Sequence, residues 1–162
     1  MKSLWKLANA IHLGLYRLTS GRIGGRMGDG TILLLTTTGR KTGKARTVPV
    51  LYFLDDDGNP VVTASNAGLP KNPAWFENLR VNPRVTYQIG AERKIARADI
   101  APPELRDRLW TRLTTNFKGF VEYQKKTTRS HSVRFPDWGL RLATTEEVAA
   151  GVYALRISKT DD

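Results

Sequence analysis

Four cations fall within seven positions, Arg40, Lys41, Lys44 and Arg46, and two glycines, Gly39 and Gly43, punctuate them. The cluster follows the apolar run Ile32-Leu33-Leu34-Leu35 and the threonines Thr36 to Thr38. A glycine-flanked turn can expose backbone N–H groups, so the chemistry on offer is the binding of an anion. Arginine matches phosphate and carboxylate geometry through paired donors. A triphosphatase loop would need G-x-x-x-x-G-K-[ST] between a strand and a helix. Here Lys41 is preceded by Arg40, and a second strand follows instead of a helix. A solvated, inert hairpin turn is the alternative that composition leaves open.

The totals agree with an anionic partner. The 162 residues carry 26 basic and 15 acidic side chains, a formal net charge of +11. Such an excess draws in anions over long range. Nucleic acid, anionic lipid headgroups and a small polyanionic cofactor all qualify. Nucleic-acid modules combine basic stripes with exposed stacking aromatics or a groove-reading helix. The aromatics here fall mostly on apolar faces, so no nucleic-acid partner is expected. The absence of cysteine excludes a disulfide scaffold, a thiolate metal site and a cysteine nucleophile. His12 and His131 are too far apart in sequence to form a ligand pair, so no metal is expected. The apolar N-terminal stretch is broken by Lys6, His12 and Arg17, unlike a secretory leader, and the default location is the cytoplasm.

The cationic cluster must be held by its neighbours. Leu4, Leu7, Ile11, Leu15 and Leu18 recur at helical spacing, flanked by Lys2, Lys6, Arg17, Arg22 and Arg26. Such a helix either packs its stripe on the domain or lies on an anionic membrane; packing is the expectation, because most amphipathic helices face a core. Gly21 to Gly30 reads as a flexible connector. Strands are predicted over residues 31–38, 46–54, 60–65, 84–89 and 93–100, with a last one over 151–158. Turns at Asp55–Asn59 and Gly90–Glu92 join neighbours. Asn72 and Pro73 start a helix carrying Trp75, and 101–104 starts another with Leu105, Leu109, Trp110 and Leu113 on one face. Residues 116–129 read as helical. Short strands with tight turns predict a mainly β, α+β fold, an antiparallel sheet or small barrel with flanking helices. Residues 1–30 form a helix and connector, and 31–162 form the barrel domain.

Several stretches in order resemble the deazaflavin-dependent nitroreductase family. They are Leu33-Leu-Leu-Thr-Thr-Thr-Gly-Arg-Lys-Thr-Gly-Lys-Ala-Arg46 with Pro49 and Leu51-Tyr-Phe-Leu54, then Ala64-Ser65. Lys71-Asn-Pro-Ala-Trp-Phe-Glu-Asn-Leu79 and Asn82-Pro83 follow, then Arg106-Asp-Arg-Leu-Trp110, Tyr123-Gln124 and Thr128-Arg129. The resemblance implies a split β-barrel of the FMN-binding, flavin-reductase type. It implies binding of reduced coenzyme F420, an 8-hydroxy-5-deazaflavin with a phosphate and an oligoglutamate tail, in preference to FMN. On matching positions Arg40, Lys41 and Arg46 would grip the phosphate side, helped by backbone groups around Thr42 and Gly43. Lys44 stands where relatives are often uncharged. The ring would lie near Pro49, Ser65, Asn66 and Trp75.

The implied reaction is hydride transfer from the reduced deazaflavin to a quinone, an enone or another activated apolar acceptor. The cofactor supplies the hard chemistry and the protein orients it. A proton would come from Tyr123, Ser65 or water. This chain departs from relatives at Asn66, where many carry lysine. It departs again at Phe117 and Phe120, where some nitroreductases carry tyrosines three apart before the Tyr123 position; the missing hydroxyls imply a different or a more apolar substrate. Residues 131–150, with Phe135-Pro-Asp-Trp-Gly139, resemble an insertion. A non-catalytic barrel holding deazaflavin or an apolar ligand, and an FMN-dependent reductase, are the alternative functions. Monomer and homodimer are both open, and a quinone acceptor would suit peripheral membrane contact through residues 1–20, at the inner face of the cell membrane.

Overall fold

A computed structural model describes residues 2–56, 58–69, 71–100, 103–125 and 154–159. Helix α1 spans Lys2–Leu18 and is followed by strands β1 (Arg26–Met27), β2 (Gly30–Thr38), β3 (Ala45–Leu54) and β4 (Pro60–Thr63). A short 3-10 turn (Asn66–Gly68), helix α2 (Ala74–Val81), and strands β5 (Arg84–Ile89) and β6 (Glu92–Ile100) come next. Helices α3 (Pro103–Asn116) and α4 (Gly119–Lys125) precede strand β7 (Ala154–Lys159). The proposed insertion 131–150 lies outside the described residues, as do 151–153 of the predicted last strand.

All strand pairs are antiparallel, in the order β1-β2-β3-β4-β7-β6-β5, and a further β2–β5 pairing closes β2 to β7 into a ring. The barrel interior is filled by Leu33, Leu35, Val62, Ala64, Val85, Tyr87, Ala96 and Ala98. Helix α2 plugs this interior with Trp75, Phe76 and Leu79. The Trp75 and Phe76 rings meet edge to face, 6.2 Å apart at 85°, a favoured aromatic geometry. Period-two alternation along the strands puts the intervening residues on the outer face. There Phe53 and Val61 pack under Leu109 and Leu113 of α3 and Phe120 of α4. Ile32 and Leu34 pack under Tyr16 of α1. Strand β2 is thus covered on both sides, which is why its central residues form an unbroken apolar run.

Phe117, just before α4, closes over Gly30. A Cβ at Gly30 would stand 2.5 Å from both the Leu51 Cδ2 and Phe117 Cε1 atoms. Only glycine lets the aromatic ring approach the strand this closely.

Three expectations are corrected by the fold. The leucine stripe of α1 does not pack on the domain: Leu4, Leu7, Ile11, Leu15 and Leu18 are 40–85% exposed. The helix docks through a different face, by Tyr16 with Leu13 and His12. The Tyr16 hydroxyl donates to the Ile32 carbonyl at 2.9 Å and accepts from the Gly90 amide at 3.1 Å. Residues 21–30 are not a loose connector either. His12 Nε2 bonds the Gly24 carbonyl at 2.8 Å, the Ile32 amide donates to Gly25, and β1 pairs with β2 inside the segment. Finally, Asn72 does not cap α2. Pro73 holds the cap position, and the Asn72 amide donates to Glu77 Oε1 at 3.0 Å.

Candidate functional site

The cationic cluster is the tip of the β2–β3 hairpin. Gly39 and Lys44 close it through the Gly39 amide and Lys44 carbonyl at 2.8 Å. Inside, the amides of Thr42 and Gly43 both donate to the Gly39 carbonyl, at 3.1 and 2.7 Å. Gly43 sits at φ +66°, the left-handed conformation that ends such a turn. The Lys44 amide reaches Thr42 Oγ1 at 3.4 Å. The turn thus uses the amides of Thr42 and Gly43 themselves. What the tip offers outward is side-chain charge and the Lys41 amide.

That charge is uncompensated. Arg40, Lys41, Lys44 and Arg46 are exposed, and none pairs with a carboxylate among the described residues. Arg46 pairs across the hairpin with Thr37, and its stem runs beside Gly39. Like charges held this close repel, and an anion among them removes the repulsion.

Helix α2 ties this tip to the barrel. Asn78, 5% exposed, turns Oδ1 to the Arg40 amide at 3.1 Å and to Arg40 Nη1 at 3.4 Å. Its Nδ2 donates to the buried Thr37 hydroxyl at 3.0 Å. Sequence reading passed over Asn78. The available signal was a lone amide on the buried face of α2, one turn after Trp75.

A second group of donors lies along β3. The β3–β4 ladder pairs Tyr52 with Val62, and because the strands are antiparallel the turn after β4 leaves toward the Pro49 and Arg46 side of β3. Pro49 is half-buried, and it lies three strand residues, about 10 Å, from Arg46. Ser65 has φ −68° and ψ −28°, and Asn66 and Ala67 then take φ +48° and +53°. A right-handed residue followed by a left-handed one curls successive amides into a concave nest. The amides of Ser65, Asn66 and Ala67 have no partner among the described residues. Two consecutive non-glycine residues at positive φ store strain, and such strain gathers at ligand sites. The Asn66 side chain holds the turn by donating to the Lys71 carbonyl at 2.6 Å. Nothing in the spacing of the sequence signalled this nest.

Two buried side-chain atoms lack partners among the described residues, Thr63 Oγ1 and Asn72 Oδ1. They bracket the segment from Ser65 to the start of α2. Buried polar groups are nearly always bonded, so each of these atoms is a candidate contact for a ligand or water. The cationic tip suits an anionic group, and the donor nest suits a hydrogen-bond acceptor.

Trp75 is only 8% exposed and belongs to the barrel core. It packs there against Phe76. Phe120 is 6% exposed and Phe117 half-buried, so both pack in the outer cluster. Tyr123 lies on α4, which packs against the Ser65–Gly68 turn, but its side chain is outside the described residues.

The sequence profile for F420H(2)-dependent quinone reductase matches residues 9–136. The chain belongs to that family. Among relatives of the F420H(2)-dependent quinone reductase family, Rv1261c of Mycobacterium tuberculosis, an F420H(2)-dependent quinone reductase, is 39% identical over 123 residues, covering 74% of this chain and 82% of that protein. A solved F420-H2 dependent reductase superposes with a TM-score of 0.59 at 28% identity, over 78% of this chain and 93% of its own. A second solved chain, described as a domain-swapped dimer, gives the same TM-score and identity over 78% of this chain and 79% of its own. The ring of strands with flanking helices is thus the split barrel that the resemblance implied.

Proposed function

We propose that this chain is an F420H2-dependent reductase that passes a hydride to a quinone or a similarly activated apolar acceptor. The observation that supports it best is the cationic tip, paired with no carboxylate among the described residues, standing at the same end of β3 as the amide nest. In this reading Arg40, Lys41 and Arg46 hold the phosphate and glutamate end of F420. Pro49 and the Ser65–Ala67 nest face the polar edge of the ring, with Asn66 shaping the turn and residues 31–162 forming the binding unit. When bound, reduced F420 supplies the hydride from the carbon that occupies the N5 position of a flavin. The protein's own part is to fix the ring against the acceptor and to exclude water. Ser65 is 8% exposed and has no hydrogen bond to its hydroxyl among the described residues, so it is free to donate to a ring or acceptor oxygen. Tyr123, on the helix beside that turn, is the other proton source in this reading.

The test is a side-by-side titration with F420 and with FMN, followed by oxidation of F420H2 in the presence of menadione. Saturable F420 binding and quinone-dependent loss of F420H2 are expected. Tight FMN binding with no F420 binding would favour the FMN-dependent alternative. F420 binding without turnover across a panel of quinones and enones would favour a non-catalytic carrier.

The finer placement concerns α1. No helix among the described residues is long and apolar enough to cross a membrane. Five large apolar side chains nevertheless line its outer face, beside Lys2, Lys6 and Arg17 in sequence. That pattern suits a helix lying in an anionic lipid interface, where a lipophilic quinone is also found. We place the protein at the inner face of the cell membrane on this basis. Anionic phosphatidylglycerol vesicles should sediment the protein and neutral phosphatidylcholine vesicles should not. The double variant Leu7→Asp/Ile11→Asp should stay in the supernatant with both. Equal recovery of parent and variant from anionic vesicles would end this placement.

A further inference from the structure

We infer that Asn78 is a positioning residue for cofactor selection, aiming the Arg40 guanidinium through a buried amide relay that starts at Thr37. The inference rests on the reading that the hairpin tip holds the anionic end of F420.

The tip is a short turn whose internal hydrogen bonds fix its backbone but not the direction of its side chains. Lys41, Lys44 and Arg46 have no side-chain hydrogen bond or ion pair among the described residues. Arg40 alone is held, and it is held twice by one atom, through its amide and its Nη1. Both groups are donors, so the Asn78 oxygen must face them. The opposite amide orientation would set Nδ2 against two donors, the Arg40 amide and Nη1. Thr37, 2% exposed, accepts from Nδ2 in that orientation and satisfies the other end of the buried amide. The relay therefore runs from a core threonine, through a core amide, to an exposed cation. A neutral amide is suited to this task. It restrains the guanidinium without cancelling its charge, so the cation stays available to an external anion. A carboxylate at the same point would make the same contacts and neutralise Arg40.

That difference supplies the test. The variant Asn78→Asp keeps the volume and the Oδ1 acceptor, and Thr37 can donate to its second oxygen, so the turn remains anchored. Affinity is measured for F420 and for the same deazaflavin lacking its phosphate and glutamates. For Asn78→Asp, the Kd for F420 should rise about tenfold, the value of one charge-assisted contact, while the Kd for the truncated deazaflavin stays unchanged. Thr37→Val, which removes the hydroxyl that holds Nδ2, should shift the ratio of the two Kd values in the same direction by a smaller factor. A melting curve for each variant reports the fold separately. Equal loss for both ligands would make Asn78 a structural residue only, and no change for either would remove it from the site. If the parent itself binds both ligands equally, the reading of the hairpin tip fails first, and that result is distinct from a parent that discriminates while Asn78→Asp does not alter it.

Discussion

The double variant Lys41→Ala/Arg46→Ala should lose F420 affinity by about two orders of magnitude or more. Each charge-assisted contact contributes about 1.5–3 kcal/mol, and every 1.4 kcal/mol is about a factor of ten in Kd. Two such contacts give about 3–6 kcal/mol. Solvent screening at an exposed hairpin tip places the result toward the lower end. The fold should not suffer, because neither side chain has a hydrogen bond or ion pair to a described residue. Removing two of the four mutually repelling cations should leave the melting temperature equal or slightly higher. Salt gives an independent check. Parent affinity should fall as ionic strength rises, and the double variant should respond much less. Fluorescence titration at low and moderate salt measures both. A variant that binds F420 like the parent would exclude the tip as the anchor, and the amide nest at Ser65 would then have to hold the cofactor alone.

Tyr16→Ala should be the most damaging single change in the N-terminal part, destabilising the protein by about 3–5 kcal/mol. Truncating a buried aromatic side chain typically costs that amount, and folded domains are stable by only about 5–15 kcal/mol. Tyr16 is 1% exposed and packs on Ile32 and Leu34. Its hydroxyl also joins three distant parts of the chain: α1, the Ile32 carbonyl on β2, and the Gly90 amide at the β5–β6 turn. Tyr16→Phe keeps the ring and removes only this junction. It should cost about 1–3 kcal/mol, the penalty for leaving buried polar groups without a partner. Denaturant midpoints for the parent and the two variants should fall in that order. A Tyr16→Phe midpoint equal to that of the parent would mean that water replaces the hydroxyl without loss. Because Tyr16 fixes which face of α1 looks outward, Tyr16→Ala should also weaken vesicle binding while barrel residues Ser65 and Arg46 remain in place.

The sequence by itself determined the strands and the charge. Apolar and polar residues alternate where one face is buried, and turn residues stand between the runs, so β2, β3, β5 and β6 were legible to within a residue at their described ends. The cations of the hairpin tip were legible because a turn with glycine at the left-handed position is a local event, set by neighbours in the chain. The resemblance in motif order then carried the barrel and the cofactor class. Only the tertiary structure decided which side of α1 packs. Periodicity marks a leucine stripe but not its direction, and the choice fell to Tyr16, whose partners lie 16 and 74 residues away. The same holds for Trp75, which the barrel interior takes into its core, and for the amides of Thr42 and Gly43, which the turn consumes. Asn78 and the nest at Ser65 were hidden for a related reason. A buried amide and an unpaired N–H acquire meaning only from what distant residues place, or fail to place, beside them.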